Sequence, residues 1–384
     1  MGGLLKLTLI ATAGHLDTTF AIGLRLCPWP LSAGYALIDA EASFPVTSVS
    51  TSDTEELRVP VASGNERPLR PGDVVEVRSA AEILATLDSD GAVDHMPFMP
   101  EMARYIGRRF TVTRRVEKIC DTIARTGSRR MYATVYLEDL RCDGSAHGGC
   151  QAGCLIYWKE SWLRRVDDGP GKTEANTAAT AATDKLEHLT QAGTRTLREL
   201  DGKSSEVWRC QATEAFKATK ALKTSDLRQY WRELTNGNFA PIRYIGLLAR
   251  GFVMEVASRL GLIKALPLQG TGIQSTPADR VDVGPGDLVQ VKTPDEIAAT
   301  LGADGHNRGL SFDREMLPYC GRTFRVRDRV RRIIDDKTGR MLSIPKDCLI
   351  LEGVVCSGER SVGRWFCPRQ IYPFWRESWV RRVE

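Results

Sequence analysis

Catalytic signatures are missing from these 384 residues. There is no GxSxG elbow, no HExxH helix, no phosphate loop and no dinucleotide fingerprint. The chemistries served by those spacings have no footing, and no residue takes a catalytic role from the sequence. A large excess of one charge is missing too: 53 Lys and Arg face 48 Asp and Glu, a net of +5. That falls well short of the basic surplus of a protein devoted to nucleic acid. Long apolar runs are also absent. IGLLARGFVMEVASRLGLI, from Ile245, comes closest, but Arg250, Glu255 and Arg259 interrupt it, so no transmembrane segment is expected. The N-terminal run MGGLLKLTLIATA lacks the positive flank of a signal peptide, since Lys6 lies inside it.

What the chain does have is cysteine, ten in all, and a phrase written twice. Ten cysteines in a chain this long do not make a small disulfide scaffold. Their clustering beside a histidine points to a metal or to reactive thiols in a reducing compartment, so a cytoplasmic location is expected.

LRPGDVVEVRSAAEILATLDSDG from Leu69 matches VGPGDLVQVKTPDEIAATLGADG from Val283, an offset of 214. The offset holds for Glu82 and Glu296, Phe98 and Phe312, Glu101 and Glu315, Tyr105 and Tyr319, and Cys142 and Cys356. Beyond that point the second copy is three residues longer, so Cys150 maps to Cys367 and Trp158 to Trp375 at an offset of 217. A register kept over so many positions marks an internal duplication.

Each copy alternates apolar and polar residues over short stretches broken by turn signals. Ser79 with Glu82, and Thr293 with Glu296, have the spacing of a capping box that opens a short helix. The expected fold is α+β, with tandem SH3-like small β-barrels and a helical segment between them. The divisions read as a poorly ordered extension over 1–65, a first repeat over 66–167 and an Ala- and Thr-rich linker over 168–185. A helical segment over 186–278 and a second repeat over 279–384 complete the chain. In the helical segment Ile245, Leu248, Phe252, Val256 and Leu260 form an amphipathic stripe, expected to be core. The alternative for the 241–264 helix is a basic interfacial surface resting on a membrane through Arg243, Arg250 and Arg259.

Cys142, His147, Cys150 and Cys154 read C-x4-H-x2-C-x3-C amid Gly144, Gly148, Gly149 and Gly153. Thiolate and imidazole suit zinc, and three Cys with one His close a tetrahedral shell, while glycines let a short loop wrap an ion. The expectation is a structural Cys3His zinc site, with an iron–sulfur cluster as the alternative cofactor. The second copy keeps Cys356 and Cys367 but has Ile371 where Cys154 stands, and no histidine nearby. A site there needs outside help, and Cys210, in CQATE, is the first candidate. Cys120 and Cys27 read as bystanders.

The doubled phrase W-[KR]-E-S-W places Trp158 with Trp162, and Trp375 with Trp379, four residues apart. The plain reading is aromatics that close a core, with Glu160 and Glu377 paired to arginines. The sharper one is a stacking surface for single-stranded nucleic acid. Glu101 and Glu315 read as solvated charges on a helix face.

GLSFDREMLPYCGRTFRV, CQATE and FCPRQIYPFWRESWVRRV resemble a family of bacterial proteins of uncharacterised function. The likeness spans residues 69–384, and it implies no activity. On these grounds the chain reads as a metal-binding scaffold or binding module for an unidentified protein partner. A metal-dependent enzyme or redox accessory, and a nucleic-acid-binding protein, are the alternatives.

Overall fold

Pro71-Gly72-Asp73 turns the chain into the strand Val74–Val77, and the alternation read from the sequence begins there. The structure is a computed structural model, and it describes residues 67–124, 127–166, 177–264, 266–270, 281–344 and 348–383. The extension over 1–65, with Cys27, lies outside the described residues.

Helix and strand are mixed, and the strands form small antiparallel sheets. One five-stranded sheet runs, edge to edge, Trp158–Lys159, Thr134–Leu137, Arg109–Arg115, Val74–Val77 and Leu163–Arg165. The other runs Trp375–Arg376, Cys348–Leu351, Thr323–Arg329, Leu288–Val291 and Val380–Arg382, the same order. Registers agree as well. Val75 pairs with Phe110 and Arg165, and Val289 pairs with Phe324 and Arg382. Each long strand carries an irregularity at the same place, between Val112 and Arg114 and between Val326 and Asp328.

Among the described residues neither sheet closes into the barrel expected from the sequence. The two edge strands of each are joined by one turn, Glu160–Trp162 or Glu377–Trp379. Three or four residues reach at most about 14 Å, so each sheet must curl until its edges approach. The hydrogen-bonded ring nevertheless stays open.

Both capping boxes form. Ser79 opens helix α1 (Ala80–Leu84), and its Oγ donates to Glu82 at 2.7 Å. Thr293 does the same for Glu296 at 2.8 Å, ahead of a short helix over Pro294–Ala298. The plain reading of the tryptophan phrase describes the packing. Trp158, Trp162, Trp375 and Trp379 are fully buried, so none of them offers a stacking platform. Phe98 meets the first pair edge-on at 6.3 and 5.2 Å, and Phe312 meets the second at 6.2 and 5.6 Å. Glu160 pairs with Arg115, and Glu377 with the equivalent Arg329.

Between the sheets the architecture departs from expectation. Helix α2 (Thr177–Ala192) begins inside the stretch read as linker, where alanines favour helix. The region read as wholly helical then makes a hairpin, Arg195–Leu200 with Lys203–Trp208. Its turn is Asp201-Gly202, at φ +54° and +71°, the pair of left-handed residues that a two-residue hairpin needs. Helices α3 (Gln211–Glu214), α4 (Arg228–Thr235) and α5 (Pro241–Arg259) follow. The stripe expected to be core on α5 is largely exposed: Ile245 is 61% and Phe252 70% accessible. Of the stripe, Leu248 turns inward, beside Tyr244, Leu247 and Met254, packed on Trp365 and Phe366.

The two repeats touch reciprocally. The Ile334 amide donates to Cys150 Sγ at 3.3 Å, and the equivalent Cys120 amide donates to Cys367 Sγ at 3.2 Å. Thr122 and Asp336, themselves equivalent, meet at 3.1 Å, which puts them on an approximate two-fold axis. Cys120 is therefore no bystander.

Candidate metal centre

The cysteine loop hangs from a two-residue ladder: Arg141 bridges Leu155, and the Cys142 amide donates to the Cys154 carbonyl at 2.9 Å. The loop folds back on Gly144, whose carbonyl accepts from the His147 and Gly149 amides at 3.1 and 2.9 Å. Gly144 sits at φ +71°, and a Cβ there would lie 2.1 Å from the Cys150 carbonyl oxygen. Only glycine fits. The second copy builds the same loop. Cys356 donates to Ile371 at 2.8 Å, and Gly358 sits at φ +69° with the Cys367 carbonyl oxygen 2.3 Å from a Cβ.

Two equal loops treat the same buried carboxylate differently. Glu315 is 4% exposed, which overturns its reading as a solvated charge. Its oxygens accept from the Ser357 amide and hydroxyl at 3.0 and 2.7 Å, the Arg360 amide at 2.7 Å and the Ser361 amide at 3.1 Å. Glu101 is equally buried, at 7%, but its Oε2 has no hydrogen-bond partner. Where Ser361 caps Glu315, the first copy has His147, which is 1% exposed and has an unpartnered Nδ1. His147 Nε2 lies 3.2 Å from Cys142 Sγ. One donor atom from each of Glu101, Cys142 and His147 lies within 4.8 Å of the other two. A buried carboxylate oxygen and a buried ring nitrogen, both unsatisfied, are costly unless something else meets them.

The structure places the sequence-derived candidates as follows. Cys142 and His147 come together, and Glu101 joins them; Cys150 and Cys154 are outside that three-donor group. Cys150 Sγ is committed to the Ile334 amide. Cys154 and Cys210 border the same cavity, about 40 Å³, with Arg369 and Asp336 of the second copy closing its far side. That volume has room for roughly two or three water-sized occupants. Cys210 thus stands beside the first copy's cluster rather than with Cys356 and Cys367, for which it was the first candidate. It is fixed there by Gln211, which donates to the Pro97 and Tyr157 carbonyls at 3.0 and 2.9 Å and accepts from the Tyr157 amide at 2.8 Å. Among the described residues, no group of three donors forms around Cys356 or Cys367.

Burial dominates the electrostatics of the loop. Burial pushes the Cys142 thiol far above its ordinary range, and the Glu101 carboxylate adds to it. Burial lowers His147, against the opposing pull of Glu101 and Asp143, which favours the neutral ring. Burial lifts Cys154 to about 12 and also raises Cys150 and Cys210. Cys356, beside Glu315, is pushed up to about 12 by burial. Cys120 goes the other way, down to about 6, through a hydrogen bond with Cys367 and the nearby Arg369 and Arg364.

Glu101 reads from the sequence as a solvated charge, and the structure instead buries it beside Cys142 and His147. Its signal was available, since it repeats in register as Glu315 and only its copy faces a histidine across the loop. No protein-family model matches the chain, and neither a curated protein nor a solved structure shows significant similarity to it.

Proposed function

We propose that the chain is a metal-binding scaffold of two duplicated SH3-like units, with one divalent metal ion, zinc by preference, in the first. The reading is carried by the contrast between Glu315, capped by five donors, and Glu101, whose Oε2 is buried without one. Glu101, Cys142 and His147 would hold the ion, in place of the four-residue Cys3His set. One carboxylate, one thiolate and one neutral imidazole carry two negative charges, which balance a dication, and all three are ordinary zinc donors. Cys154 and Cys210, on the wall of the same cavity, are the candidates for a fourth position. When bound, the ion supplies cohesion: it ties the 100–105 turn to the cysteine loop, as a structural metal does.

An iron–sulfur cluster finds less support, because it needs about four thiolates and the tight donor group contains one sulfur. Nucleic-acid binding loses its aromatic platform with the burial of the four tryptophans. The partner that the scaffold serves is proposed to be protein.

The test is elemental analysis of anaerobically purified protein. Wild type is expected to hold about one metal ion per chain. Cys142→Ser and His147→Ala lose it, and Cys356→Ser keeps it. Equal metal in wild type and Cys142→Ser would sink the reading.

A further inference from the structure

Helix α5 is apolar on two sides. One side packs inward through Tyr244, Leu247 and Met254, and Gly251 lets the ring of Trp365 approach to 3.2 Å of where its Cβ would be. Among the described residues the other side is exposed. Ile242 is 88% exposed, Ile245 61%, Phe252 70%, Val253 64%, Val256 38% and Leu260 68%. At about 100° per residue these six fall within an arc of roughly 100°. With the exposed Ala249, positions 242, 245, 249, 252 and 256 alternate steps of three and four, the spacing of a seam where helix meets helix.

Size points the same way. At those exposures the six side chains offer on the order of 600–700 Å² of apolar surface, above the ~300–600 Å² of the largest patch on an ordinary monomer. It approaches the roughly 800 Å² that each partner gives to a standard interface. The stripe has large side chains at both ends and in its middle, so it is complementary to itself when two helices run antiparallel. Of the three arginines beside it, two are held in ion pairs, which leaves Arg250 alone for an anionic membrane. Arg243 is paired with Glu359, and Arg259 with Glu255 at 3.2 Å.

We infer that the exposed face of α5 pairs with the same face of a second copy of this chain, helix on helix across a two-fold axis. Bringing the faces together removes the apolar stripe from water on both copies.

Sedimentation equilibrium of the full chain over a wide concentration range tests this. A dimer mass is expected, and the double variant Phe252→Asp, Val256→Asp should weaken association by on the order of 100-fold. Both sites are exposed, so the fold should tolerate the charges. An independent readout on wild type is hydrogen exchange, which should slow along 242–260 as concentration rises. A monomer at every concentration, or a dimer that the double variant leaves intact, overturns the inference. So does a monomeric wild type that floats with vesicles of phosphatidylglycerol and phosphatidylcholine, which would assign the face to a membrane.

Discussion

Glu101→Gln and Glu315→Gln are the same substitution at equivalent positions, and they should behave differently. Glu315 accepts five hydrogen bonds from Ser357, Arg360 and Ser361, three on Oε1 and two on Oε2. Glutamine keeps one oxygen and turns an NH2 toward at least two of the donors. Bonds to a charged acceptor are worth about 1.5–3 kcal/mol each, so Glu315→Gln should cost about 3–6 kcal/mol. Glu101 Oε2 has no such donors to lose. In metal-free protein, removing its unsatisfied charge should cost less than about 1 kcal/mol or even stabilise the fold. With zinc the order changes. Partners outside the metal's own shell are worth about 10–100-fold in affinity, so loss of a ligand should cost at least about 100-fold. The assay is urea unfolding followed by tryptophan fluorescence, with chelator and with zinc, alongside a chelator competition for zinc affinity. The reasoning fails if metal-free Glu101→Gln is destabilised as much as Glu315→Gln. It also fails if Glu101→Gln binds zinc as tightly as wild type.

Other outcomes follow from the same geometry. Gly144→Ala and Gly358→Ala each force a Cβ onto a carbonyl oxygen at positive φ, and thermal melts should show losses of at least about 2 kcal/mol for both, with metal retention harmed only in the first. Trp158→Ala and Trp375→Ala, each emptying a fully buried site, should cost about 3–5 kcal/mol by the same unfolding assay. Zinc affinity should rise about tenfold per pH unit between roughly pH 6 and 8, because Cys142, lifted by burial, must release one proton, whereas His147, lowered by burial, is already neutral. A slope of two protons in competition titrations would show that His147 is charged at rest. Cys120 should give a step near pH 6 in the ultraviolet thiolate absorbance of the folded protein, missing in Cys120→Ser, since Cys367 and Arg369 hold it down to about 6.

Much of the scaffold is legible in the sequence because it depends on local chemistry. A capping box needs only Ser79 and Glu82 in register, and a doubled Trp-x-x-x-Trp phrase packs alike wherever its surroundings repeat. The loop is legible for the same reason, since Gly144 is demanded by a contact six residues away. The donor set is less so. A buried Glu101 and an exposed helical glutamate look alike in sequence, and the three-dimensional neighbour that distinguishes them, His147, lies 46 positions further on. For Cys150 the sequence shows only its place in the cluster, whereas the amide bond it accepts from Ile334 of the other repeat, 184 positions on, is a tertiary contact. Helix α5 misleads differently: it has two apolar faces, and periodicity cannot tell which of them turns inward. The Asp201-Gly202 hairpin has a readable turn pair but lies inside the 186–278 stretch that reads as helical.

The ligand shell of the zinc-loaded protein, seen by X-ray absorption, bears most directly on the centre. Glu101, Cys142 and His147 predict a mixed shell, with sulfur at about 2.3 Å in the minority, or at most equal, beside nitrogen and oxygen at about 2.0–2.2 Å. A shell dominated by three or more sulfurs, or protein that takes up no zinc, would contradict it.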